Sequence, residues 1–152
     1  MLKDFILASF HHLLAFGLVA MLVTQSVLLS RNIDAATLRR LSGVDRGLGM
    51  VATLLLVVGL LRVFQGIKGE DFYLHNPWFH AKFGAFVLAA LLSILPTIRF
   101  VRWRKAFKAD PGYLPPETEV AAMRRIVRFE LMLVAVILVA AAGMARYGGL
   151  HL

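Results

Sequence analysis

The chain has 152 residues, 59% of them hydrophobic, and a formal net charge of +8, with a mean hydropathy of +0.74. A soluble domain carries roughly 45–50% apolar residues, so this composition points to a membrane protein. The absence of cysteine excludes disulfides, Cys-ligated zinc, iron–sulfur clusters and covalent CxxCH attachment of haem.

The first apolar run covers about 5–29. It is longer than the ~7–15-residue apolar region of a signal peptide, and no small-residue cleavage site clearly follows, so a retained transmembrane helix is expected. A polar loop, 30–45, comes next, in which DAATLRRL (34–41) suits a short interfacial helix. The second run, 47–66, is expected to open near Ser42 or Asp45, both acceptable N-caps. Asn76-Pro77 opens the third run, 78–98, with Asn as cap and Pro at the first helical position. Pro96 should kink or close that helix. DPGYLPPE (110–117) breaks the chain, and the last helix is expected to begin at Glu117 before entering the run 126–145.

Each run is about 20 residues long, enough at ~1.5 Å per residue to cross a ~30 Å hydrocarbon core. Small residues occur in every span, Gly17, Gly59, Gly84 and Gly143 among them, and they permit close helix approach. The expected fold is all-α, an up-down integral membrane four-helix bundle in one domain, 1–152. Twelve of the seventeen basic residues flank the first and third loops. The positive-inside rule puts those loops in the cytoplasm and both N and C termini outside, in a multi-pass protein of the bacterial inner membrane. This distribution argues against nucleic acid as a partner.

In that topology the five histidines, His11, His12, His75, His80 and His151, all fall on the outer half. Intramembrane polar groups are costly and face the bundle or a cavity, so an imidazole at that depth wants a hydrogen bond or a metal. Two histidines from facing helices can ligate a haem iron, with apolar helices around the porphyrin. The pattern points to His12 or His11 from the first helix and His80 from the third, with His75 as a further candidate. His11 and His12 stand ~100° apart around a helix, so only one of them can face a given metal. Lys82, Arg62 and Lys68 suit haem propionates. The plainer reading is packing, with Trp78 and Tyr73 in an interfacial aromatic belt. Copper or zinc is a further alternative because imidazole suits both, although no methionine-rich run or HxxxH pair is present. A second polar group gathers Gln25, Asp45, Arg46 and Glu130 on the inner half. An ion pair from Glu130 to Arg46 or Arg128 is expected there, with a proton relay as the sharper alternative.

HNPWFHAK (75–82), followed by LSILPTIRFVRWRK (92–105), resembles a family of uncharacterised bacterial four-helix membrane proteins. The likeness runs from HHLLAF to the end of the last helix and implies no activity. More distantly, WFHAK (78–82) is similar to the Trp-x-His-x-Lys segment of HemJ-type protoporphyrinogen oxidases, membrane proteins that bind haem b. Asp45-Arg46-Gly47-Leu48-Gly49-Met50 and Arg128-Phe129-Glu130 resemble the openings of two of their helices. The Asn-Glu-x-Pro of their last helix is absent here, so the likeness implies the scaffold and haem site more than the substrate chemistry. The His12-Leu13-Leu14-Ala15 run is similar to the copper resistance protein D family. The expected function is therefore that of a haem-b-binding membrane protein with a redox role. The alternatives are a protoporphyrinogen-oxidase-like oxidoreductase and a copper or other metal transporter. Expected partners are lipid, a quinone or porphyrin, and a second copy of the chain in a homo-oligomer.

Overall fold

A computed structural model describes residues 2–65 and 69–146. Five helices follow one another: α1 (Leu2–Leu29), α2 (Ala35–Gln65), α3 (Gly69–Leu74), α4 (Pro77–Ala109) and α5 (Glu117–Arg146). Four of them, all but the six-residue α3, are long and apolar enough to cross a membrane. Large apolar side chains point away from the bundle along these helices, including Leu13, Phe16, Leu91 and Val139. Such outward faces are what hydrocarbon solvates, and a chain with four of them is a multi-pass membrane protein.

The long helices form a ring in which α1 packs on α2 and α5, and α4 packs on α2 and α5. The pairings run antiparallel. Along α1 and α2, Lys3 donates to Gln65 at 2.8 Å, His11 faces Gly59, Gly17 faces Val51, and Met21 faces Gly47. Along α4 and α5, Trp78 meets Gly143 and Trp103 meets Glu119. The described ends of the chain therefore share one end of the bundle, with His11 and Trp78; we call it the histidine end. The opposite, arginine end carries the links 30–34 and 110–116.

The largest core lies at the arginine end. There Leu29, Ile33, Leu38, Leu41, Phe100, Trp103, Val120, Met123 and Val127 pack together. Arg124 Nε donates to the carbonyl of Leu29 at 2.6 Å, placing a cation on the exposed carbonyls where α1 ends. Glu119 accepts from Arg99 at 2.7 Å and from Trp103 Nε1 at 2.9 Å, tying the start of α5 to α4. Midway along the bundle a smaller core joins Leu18, Leu22, Leu48 and Val134.

Two expected helix starts are observed. Asn76 caps α4, its side chain accepting from Trp78 N at 3.0 Å with Pro77 in the first turn. α5 begins at Glu117. Three expectations are corrected. No separate interfacial helix precedes the second span: α2 is continuous from Ala35, because Asp34 accepts from Thr37 N at 2.7 Å and caps it there. Ser42 and Asp45 are consequently buried inside the helix and are not caps. α4 does not close at Pro96 but runs on to Ala109. Proline leaves the carbonyl of Leu92 without its helical N–H, and the helix continues past it. Between the second and third spans lies the short helix α3.

Candidate functional site

At the histidine end, polar side chains from three helices are held half-buried with atoms that have no partner. His11 on α1 turns inward, and its Cε1 lies 3.5 Å from where a Cβ on Gly59 would stand. Glycine at 59 makes room for the ring. Arg62 is one turn beyond Gly59 on α2, on the same helix face. On α4, Trp78 packs against Gly143 of α5, and Lys82 lies one turn further on that face. The charges of Lys82 and Arg62 both bear on the His11 imidazole, and that of Arg62 bears on Lys82.

Three buried atoms of this group, His11 Nδ1, Arg62 Nε and Trp78 Nε1, have no hydrogen-bond partner. Among the described residues no carboxylate pairs with either of the two cations. Among the described residues the ion pairs are Arg99–Glu119 and Arg124–Glu117, both at the arginine end. Buried polar atoms are ordinarily bonded, and unpaired donors with two cations make a seat for an anion.

The structure thus brings together His11, Arg62 and Lys82 of the residues singled out from the sequence. His12, His75 and His80 are exposed and hydrogen-bonded to nearby backbone. His12 Nδ1 bonds Ala8 O at 2.6 Å, and its ring stands edge-on to that of His11, 6.3 Å away. His75 Nδ1 bonds Asp71 O at 3.0 Å. His80 Nε2 bonds Leu74 O at 2.8 Å. In His12 and His75 these bonds leave Nε2 available; in His80 they occupy it. Lys68 and His151 lie outside the described residues. Among the described residues no group of three or more His, Asp or Glu side chains is placed to hold a metal ion. Trp78 was legible as an interfacial aromatic, but its buried, unpaired indole N–H was not.

A second polar centre lies nearer the arginine end. Gln25 on α1 donates to Asp45 Oδ1 on α2 at 3.2 Å. Thr97 Oγ1 on α4 lies 3.1 Å from the same oxygen and 3.0 Å from Ser93 O. Glu130 on α5 is 2% exposed, and its Oε2 has no partner. The ion pair expected for Glu130 is absent: Arg46 and Arg128 are both exposed. Arg46 follows Asp45 by ~100° around α2, and Arg128 precedes Glu130 by ~200° around α5, so the helices turn both guanidiniums away. Glu130 instead borders a cavity of about 40 Å³ that extends toward the histidine end past Leu18 and Ala52. A small-molecule pocket measures roughly 300–1,000 Å³, so this space takes water rather than a cofactor.

No curated protein and no solved structure matches this sequence. Residues 3–149 match the family described as "Predicted membrane protein (DUF2214)", in accord with four apolar helices in the long stretches read from hydropathy. The chain therefore belongs to the DUF2214 family of predicted membrane proteins.

Proposed function

We propose that the histidine end binds an amphiphile bearing carboxylates, that this amphiphile is haem b, and that the protein serves a redox role in the membrane. The observation that carries the reading is the unpaired donors of Arg62 and Trp78 and the unpartnered ring nitrogen of His11 beside Lys82, with no carboxylate paired to them among the described residues. Haem b supplies two carboxylates and an iron that takes imidazole, and when bound it supplies one-electron chemistry. Arg62 and Lys82 would hold the propionates by charge-assisted hydrogen bonds. His11 is the first choice as iron ligand because its ring already faces this group. His12 is the next, since its bond to Ala8 O fixes the ring and leaves Nε2 free. His80 serves as the second axial ligand only if it releases Leu74 O, and His75 offers Nε2 from the same corner.

The concentration of basic residues at the arginine end supports a cytoplasmic position for that end in a bacterial inner membrane, with both termini outside. A quinone is the natural lipid-soluble electron acceptor. A porphyrin substrate carries the same carboxylates, so a protoporphyrinogen-oxidase-like activity is the second reading, supported by the same cationic pair and by Trp78, His80 and Lys82. Copper transport has no comparable ligand group to rest on among the described residues.

The test is a reduced-minus-oxidised spectrum of the protein purified in mild detergent after expression with haem supplied. Soret and α bands are expected, with loss in His11→Ala. A colourless protein under those conditions contradicts the reading.

A further inference from the structure

The Asp45–Glu130 level of the bundle holds more acceptors than donors. Gln25 and Asp45 are within 9% of full burial, and Glu130 is 2% exposed. The Gln25 amide donates to Asp45 Oδ1, and the single Thr97 hydroxyl proton is shared between that oxygen and the carbonyl of Ser93. Gln25 Oε1 and Glu130 Oε2 are left buried with nothing donating to them, and the Ser42 hydroxyl, one turn before Asp45 on α2, is buried without engaging either.

No cation relieves this excess. α1 brings only Gln25 to this level, since residues 13–29 carry no charge. On α2, Arg46 is exposed; on α5, Arg128 is exposed. On α4, Arg99 is paired with Glu119 at 2.7 Å. The charge of Asp45 bears on Glu130, and two ionised carboxylates this deep in the bundle without a cation are far less stable than a pair in which one is neutral. A protonated carboxyl is also a donor, and the level is short of a donor.

The two acids are not equivalent. Asp45 Oδ1 has two donors within reach, Gln25 and Thr97. Glu130 has none and borders the cavity with Leu18, Leu22, Leu48, Phe86 and Val134. That cavity, about 40 Å³, has room for two or three waters at ~10–15 Å³ of this measure each. It leads from Glu130 toward the histidine end.

We propose that Asp45 and Glu130 form a proton-binding site on the bundle axis, the pair carrying one proton with Glu130 as its holder and the cavity as its exchange path. The ligand is a proton, not a metal ion, because among the described residues no group of three or more His, Asp or Glu side chains is placed to hold one. The inference is independent of the haem reading.

Infrared spectroscopy of the full chain in lipid vesicles tests it. At neutral pH the wild-type protein is expected to show the carbonyl stretch of a protonated carboxylic acid, shifted in D₂O. Glu130→Gln should abolish the band, while Glu70→Gln, which alters an exposed acid, should leave it. Asp45→Asn should move its frequency, because the acid then faces an amide. Absence of the band in wild type overturns the proposal, as does its survival in Glu130→Gln or an unmoved band in Asp45→Asn. Replacing choline chloride by sodium chloride at constant ionic strength should change nothing; loss of the band in sodium shows a sodium site and also overturns it.

Discussion

The indole of Trp78 on α4 lies so close to Gly143 on α5 that a Cβ at Gly143 would stand 2.8 Å from the ring. Only the missing side chain lets the two helices close around the histidine end. Lys82, one turn from Trp78, is positioned by this contact.

Gly143→Ala should therefore destabilise the bundle by about 1–3 kcal/mol, the range for overpacking a tight contact. Thermal unfolding in detergent measures this. Trp78→Phe in the same background should recover part of the loss, since the smaller ring yields space. An unchanged melting temperature in Gly143→Ala would contradict the contact.

Glu119 and Glu117 give an internal comparison. Glu119 accepts from Arg99 and from the indole of Trp103, and Trp103 is 1% exposed. The partly exposed ion pair contributes roughly 0–1 kcal/mol, but losing the indole's partner strands a buried donor at about 1–3 kcal/mol. Glu117 is 76% exposed and pairs only with Arg124. Glu119→Ala should lower thermal stability clearly more than Glu117→Ala, whose effect should stay within about 0.5 kcal/mol. The reverse order would remove Glu119 as the tie between α4 and α5.

Asp34 sets the start of α2 and its pH response. The backbone N–H of Thr37 holds the Asp34 carboxyl below its ordinary value. A carboxyl depressed in the folded state contributes stability that is present above the ordinary carboxylate range and is lost as pH falls through the folded value. Melting temperature should thus fall at acidic pH by a component missing in Asp34→Asn, which keeps the cap without the charge. Identical pH profiles for the two proteins would dismiss the effect.

Hydropathy made the four long helices legible, and the Asn76-Pro77 and Glu117 signals placed two helix starts. It missed that the helical segment read at 34–41 runs on unbroken into the second span, because hydropathy tuned to lipid stops at the polar residues between them. There Leu38 and Leu41 dock on the arginine-end core with Trp103 and Val127, and that packing carries the helix back to Asp34. The residue types of the histidine end were also visible, but not their facing. His11 and His12 are adjacent in sequence, and only the seat over Gly59 selects His11. Helix rotation likewise decided Glu130, whose neighbouring arginines turn outward. Thr97 gave no signal beyond standing next to Pro96, and its place beside Asp45 depends on the α2–α4 register.

Titration of haemin into the solubilised protein, followed by absorbance, tests the central claim most directly. Each charge-assisted bond is worth about 1.5–3 kcal/mol, or roughly a tenfold or larger change in affinity. The account predicts saturable one-to-one binding that weakens at least ~10-fold in Arg62→Gln/Lys82→Gln and is unaffected in Arg104→Gln/Lys105→Gln. Binding that never saturates, or that is equal in the two double variants, would contradict it.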